Sequence, residues 1–233
     1  MRMRLAGVAA ALLMLAGCGS EAPPAAPAAE PPHAAAAEVP VSGPERRILA
    51  FGNSLFAGYN VAPEESYPAR LQAALRARGI NAEVVNAGVS GDTTQAGRAR
   101  LGFTLDAQEE LPDLFILELG GNDLLRGLPV EQTRANLAAM LAELRERRIP
   151  VLLMGMRAPP NLGADYVTGF DAIYPELAEE YGAELVPFFL ESIYDRPQLI
   201  QQDRVHPTAE GIQALVDATV GEVAEALPEV EEP

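Results

Sequence analysis

Short apolar runs alternate with helix-periodic stretches along most of this chain, and that alternation limits the folds available to it. Ile48 to Phe51 is a four-residue apolar run ending at Gly52, a buried-strand pattern. Glu83 to Asn86 runs into Gly88, and Leu114 to Leu119 stops at Gly120-Gly121. Val151 to Met156 and Leu185 to Phe188 supply two more. Between them, Pro68 to Arg78 carries Leu71, Ala74 and Leu75 at helical spacing and stops at Gly79. Glu131 to Arg148 sets Leu137, Met140, Leu141 and Leu144 on one face, and a last helix is expected from Pro207 to about Leu227. Strands alternating with helices predict an α/β fold, a three-layer α/β/α sandwich around a central parallel sheet of about five strands. In such sheets ligands bind at the carboxyl ends of the strands.

The N-terminal region reads differently. Arg2 and Arg4 precede an apolar stretch, Leu5 to Leu15, too short to span a bilayer comfortably, so residues 1–17 are expected to be a signal peptide. Leu15-Ala16-Gly17-Cys18 resembles a bacterial lipobox, which implies lipid attachment at Cys18 and a membrane as partner through that anchor. Gly19 stands where an aspartate would signal inner-membrane retention, so a periplasm-facing lipoprotein of the outer membrane is expected in a Gram-negative host. Between Glu21 and Glu45, 16 of 25 residues are Ala or Pro, a composition that favours extended chain and reads as a tether over 18–45. The folded domain is expected over 46–228, with an acidic tail at 229–233.

Composition removes several chemistries. A formal net charge of −16 argues against nucleic acid, which needs clustered cations. There is no Lys, which excludes Schiff-base lysines, Ser–Lys dyads and a P-loop lysine. Of the two histidines, His33 lies in the tether, leaving His206 alone in the domain. One histidine without a domain cysteine does not build the usual zinc sites, so neither metal nor cofactor is expected.

A serine paired with His206 is what remains for a hydrolytic site. Ser54 follows a strand and a glycine, a geometry that exposes a nucleophile at the sheet edge. Ser90, flanked by Gly88 and Gly91, is the rival. Asp203 lies three residues before His206, close enough for its carboxylate to reach Nδ1 and fix the tautomer. Gly88 and Asn122 each follow a strand and can converge on the same rim, the glycine by close backbone approach and the asparagine as a neutral donor.

Taken together, Phe51-Gly52-Asn53-Ser54-Leu55, Asn86-Ala87-Gly88-Val89-Ser90-Gly91-Asp92, Gly121-Asn122-Asp123 and Asp203-Arg204-Val205-His206 resemble the four blocks of the SGNH (GDSL) hydrolase family. The branch they look closest to is that of bacterial periplasmic acyl-CoA thioesterase, lysophospholipase and arylesterase. The resemblance implies a flavodoxin-like sandwich with Ser54, His206 and Asp203 as triad. It also implies an oxyanion hole from the Ser54 and Gly88 N–H groups and the Asn122 amide. The implied reaction is hydrolysis of small acyl esters or thioesters through an acyl-enzyme. Asn53 departs from the aspartate usual in the first block, which bears on hydrogen bonding beside the nucleophile. Leu124, Leu125 and Leu128, with Met156 to Pro160, either line an acyl groove or pack as ordinary loop residues. The alternatives are an acetylesterase acting on envelope polysaccharide or peptidoglycan, and a non-catalytic lipid-binding lipoprotein.

Overall fold

The computed structural model describes residues 41–229. The expected signal peptide, Cys18 and most of the tether lie outside the described residues. Five strands and eight helices follow in order: β1 (Arg46–Gly52), α1 (Ser54–Ala57), α2 (Tyr67–Ala77), β2 (Ala82–Gly88), α3 (Thr94–Asp106), β3 (Leu114–Glu118), α4 (Gly121–Leu125), α5 (Val130–Glu146), β4 (Val151–Met154), α6 (Ala164–Asp171), α7 (Ile173–Tyr181), β5 (Glu184–Val186) and α8 (Ala209–Ala226). All strand pairs are parallel, in the order β2-β1-β3-β4-β5.

Chain direction reverses once across this sheet. β1 to β2 steps one way, and every later crossover steps the other. Right-handed crossovers therefore put α2 on one face and the helices between β2 and β5 on the opposite face. The packing agrees: α2 packs on α8, whereas α3 packs on α5 and α5 on α7. β3 is buried at every residue and β1 from Ile48 to Gly52, as strands covered on both faces must be. The expected sandwich is present.

Each face has its own aromatic contacts. On the α2/α8 side, Phe56 and Tyr67 stack with centroids 5.0 Å apart and meet Phe189 edge-on. The buried Tyr67 hydroxyl shares a hydrogen bond with Thr219 Oγ1 at 2.7 Å, tying α2 to α8 without an unsatisfied polar group. On the other side, Gly97 lets α3 lie close to the sheet, because a Cβ there would fall 2.3 Å from Leu119 Cδ1.

Several element ends differ from expectation. Helix α8 starts at Ala209, not Pro207, because Thr208 caps it by accepting from Gly211 N at 3.1 Å. Pro207 sits instead in an antiparallel bridge with Ile200. Strand β5 ends at Val186, since Pro187 has no N–H for the ladder. Helices α3, α4, α6 and α7 have no counterpart among the expected elements. In α3 only four residues are buried, Gly97 among them, so its apolar periodicity is faint.

Sheet register sets the site. Gly52 pairs with Gly88 on one side and with Glu118 on the other, so β1, β2 and β3 finish level with one another. The chain leaves all three strands toward the same rim.

Candidate active site

Ser54 is the first residue of α1, immediately beyond β1. Asn53 caps that helix, its Oδ1 accepting from Leu55 N at 3.0 Å and lying 3.4 Å from Ser54 Oγ. The Asn53 amide faces the other way, donating from Nδ2 to Glu118 Oε1 at 2.9 Å, while its backbone N–H donates to Oε2 at 3.2 Å. Glu118 is fully buried at the end of β3. Burial pushes its carboxyl up to about 8, against the opposing pull of the two Asn53 hydrogen bonds.

His206 arrives from the far end of the chain. Its Nε2 lies 2.8 Å from Ser54 Oγ and its Nδ1 2.7 Å from Asp203 Oδ2. Asp203 Oδ1 accepts the backbone N–H groups of Val205 and His206 at 2.9 and 3.0 Å, closing the turn. Partial burial raises the Asp203 carboxyl, but the hydrogen bonds from the His206 ring and these two amides outweigh it and hold it at about 2. An ionised Asp203 only accepts, so the ring proton belongs on Nδ1 and Nε2 is free to accept from the serine hydroxyl. Tyr59 packs against the imidazole with centroids 4.2 Å apart. Gln201 fastens the loop, donating from Nε2 to Pro207 O at 2.8 Å and Tyr59 O at 2.9 Å.

Ser54, not the exposed Ser90, is the serine that meets His206. Asn122, on α4, opens into the same cavity as Ser54, its Nδ2 donating to Asp92 O at 2.9 Å. Its neighbour Asp123 is buried and accepts from Thr94 N and Thr94 Oγ1, so it ties α4 to α3. Gly88 does not fit the expected donor role. Its N–H already donates to Asn86 Oδ1 at 2.9 Å, and a Cβ on it would lie 2.4 Å from Ala57 N. That glycine is needed for β2 to pass under α1. Three residues on, Gly91 precedes Asp92 with φ +86°, and among the described residues its N–H has no hydrogen-bond partner.

The cavity beside Ser54 holds about 250 Å³. Of the residues expected to line it, Leu124, Leu125, Met156, Arg157 and Pro159 do; Leu128, Ala158 and Pro160 do not. Phe188, Leu190, Ile193, Tyr194 and Ile200, none of them expected from the sequence to line it, supply much of the remaining wall. They come from the segment after β5, and no local pattern marks them as facing Ser54. Glu118 was also missed, although a lone carboxylate inside the apolar run Leu114 to Leu119 is a signal in itself.

The chain has clear relatives. The GDSL-like lipase/acylhydrolase family matches residues 50–214. An arylesterase of Vibrio mimicus is 39% identical over 181 residues, covering 78% of this chain and 90% of its own. Thioesterase 1/protease 1/lysophospholipase L1 of Escherichia coli K12 is 39% identical over 170 residues, covering 73% and 79% respectively. The crystal structure of AlinE4, an SGNH-hydrolase family esterase, is 63% identical in sequence, covers 81% of this chain and all of its own, and superposes with a TM-score of 0.68.

Proposed function

The chain belongs to the GDSL-like lipase/acylhydrolase family and hydrolyses ester or thioester bonds, and from that premise we propose that Ser54 is its nucleophile, His206 its base and Asp203 the group that orients the base. The observation that carries this reading is the continuous chain of short hydrogen bonds from Asp203 Oδ2 through both imidazole nitrogens to Ser54 Oγ. His206 takes the hydroxyl proton as Oγ attacks the acyl carbonyl, and the ionised Asp203 stabilises the imidazolium that forms. His206 then protonates the departing alcohol or thiol. Water repeats the sequence on the acyl-enzyme and releases the acid.

The developing oxyanion is assigned to the Ser54 N–H, the Asn122 amide and the Gly91 N–H. Asn122 has one amide hydrogen committed to Asp92 O, which fixes the side chain and leaves the second for substrate. Gly91 replaces Gly88 in this role because its N–H is uncommitted and the next residue anchors Asn122. Such donors act mainly in the transition state.

The apolar cavity favours acyl esters of short to medium chain, and the arylesterase and thioesterase relatives favour aryl ester and thioester leaving groups. Hydrolysis of p-nitrophenyl esters from acetate to palmitate, beside an acyl-CoA series, tests this. A maximum at intermediate chain length is expected. Activity confined to acetyl groups, with turnover of acetylated envelope polysaccharide, would favour the acetylesterase alternative instead.

The leader sequence supports a further part of the proposal: an exported, periplasm-facing lipoprotein attached through Cys18. Two or more acyl chains are needed for stable anchoring, which lipoprotein modification supplies. Cys18→Ala should move the protein to the soluble fraction and abolish labelling by a fatty-acid probe; unchanged labelling would refute the attachment.

A further inference from the structure

The largely apolar cavity wall carries two charged side chains, and both are arginines. Arg157 and Arg204 line it with Ser54, and among the described residues neither makes an ion pair or a hydrogen bond through its guanidinium. Many other arginines of the domain are matched with carboxylates: Arg100 meets Asp92 at 2.6 Å, Arg134 meets Glu176, and Arg147 meets Asp106 at 2.7 Å. Arg157 packs its guanidinium over the Phe188 ring, Cζ 5.4 Å from the centroid, a contact that uses none of its N–H donors on a carboxylate. Asp171, Glu191 and Asp195 line an adjoining cavity together with Arg157 without forming an ion pair with it.

Arg204 carries a second mark. It has φ +61°, in the left-handed region that disfavours side chains with a Cβ. The turn requires it: Asp203 Oδ1 holds the N–H groups of Val205 and His206, and Arg204 N donates to Gln201 O at 3.0 Å. Glycine would take this conformation without strain. An arginine there keeps a strained backbone between the acid and the base of the triad while lining the cavity. In a chain with 33 acidic and 17 basic residues the surrounding field repels anions, so two uncompensated cations beside the nucleophile oppose it locally.

The geometry points to Arg157 and Arg204 as specificity-determining residues that select esters carrying an anionic oxygen group, carboxylate or phosphate, within reach of the cavity. This rests on Ser54 being the nucleophile of that cavity. The anion can sit on the acyl part or on the leaving group, and matched substrates separate the two: mono-4-nitrophenyl glutarate against 4-nitrophenyl valerate, and 4-(valeryloxy)benzoate against phenyl valerate.

The full-length protein is compared with Arg157→Gln, Arg204→Gly and Arg204→Lys. For at least one pair, the ratio of kcat/KM for the anionic ester to that for its neutral partner should fall about three- to tenfold in Arg157→Gln and Arg204→Gly. It should fall mainly through KM, be weaker in high salt, and recover in part in Arg204→Lys. The pair that responds identifies where the anion sits. Arg204→Gly should also raise the melting temperature by removing the left-handed strain. Ratios unchanged in both pairs would overturn the proposal. A wild type inactive on the neutral esters as well would instead overturn the hydrolase site itself.

Discussion

Asn53 is held by Glu118: one carboxyl, buried at the end of β3, accepts both the side-chain amide and the backbone N–H of the residue preceding the nucleophile. Because the amide nitrogen is committed there, the amide oxygen must face Leu55 N and Ser54. Residue 53, where this chain departs from its family, therefore touches the site. It sets the orientation of the first turn of α1 and contributes no formal charge beside Ser54.

Glu118 should make stability depend on pH with a definite sign. Its carboxyl rises from an ordinary 4.5 to about 8 in the folded chain. The unfolded chain thus loses this proton first, and the contribution is fully present below about 4.5 and is lost as pH rises toward 8. Glu118→Gln does not titrate, yet turns an N–H toward one of the Asn53 donors. It should be less stable than wild type at pH 5, and the gap should narrow by pH 8. Parallel denaturation at both pH values measures this, and a constant gap would contradict it.

Asn53→Asp puts two carboxyls in contact in a buried place, where only one can ionise readily. The remaining negative charge lies next to Ser54 Oγ and so close to the imidazole that bonds it. Added negative charge favours imidazolium, and only neutral imidazole accepts the serine proton. The rising limb of kcat/KM should therefore move to higher pH. An unchanged pH–rate profile would show that the charge is screened from His206.

Asn122→Ala removes one oxyanion donor and the clamp on Asp92 O. It should lower kcat by about 10²–10³-fold with little change in KM, since the bond matters most in the transition state. Steady-state kinetics on p-nitrophenyl butyrate report both values. A rise in KM alone would make Asn122 a ground-state binding residue.

The sequence exposed those parts of the site that depend on neighbours in the chain. Asp203 and His206 share one turn, and Ser54 lies two residues beyond the glycine that ends a strand, so their roles could be argued from spacing. Most of the strands were legible for the same reason, as short apolar runs; β2, with only Val84 and Val85 between Glu83 and Asn86, was marked mainly by the glycine that ends it. What escaped were relationships between distant segments. Glu118 meets Asn53 only because β3 lies beside β1 in register, and Tyr59 meets His206 only after the chain closes. Gly88 and Gly91 look alike in the sequence; their roles separate only when the Asn86 side chain is seen to occupy the Gly88 N–H. Helix α3, with Gly97 packed on Leu119, hides its periodicity because close approach demands a small residue where a large apolar one would have announced it.

The central claim, that Ser54 is the acylated residue, is tested most directly by trapping it. The protein is incubated with a p-nitrophenyl alkylphosphonate, which leaves a stable adduct on an activated serine, and the modified peptide is found by mass spectrometry. One adduct per chain on Ser54 is predicted, with none in Ser54→Ala or His206→Ala and an undiminished yield in Ser90→Ala. An adduct on Ser90, or full labelling and turnover in Ser54→Ala, would contradict the account.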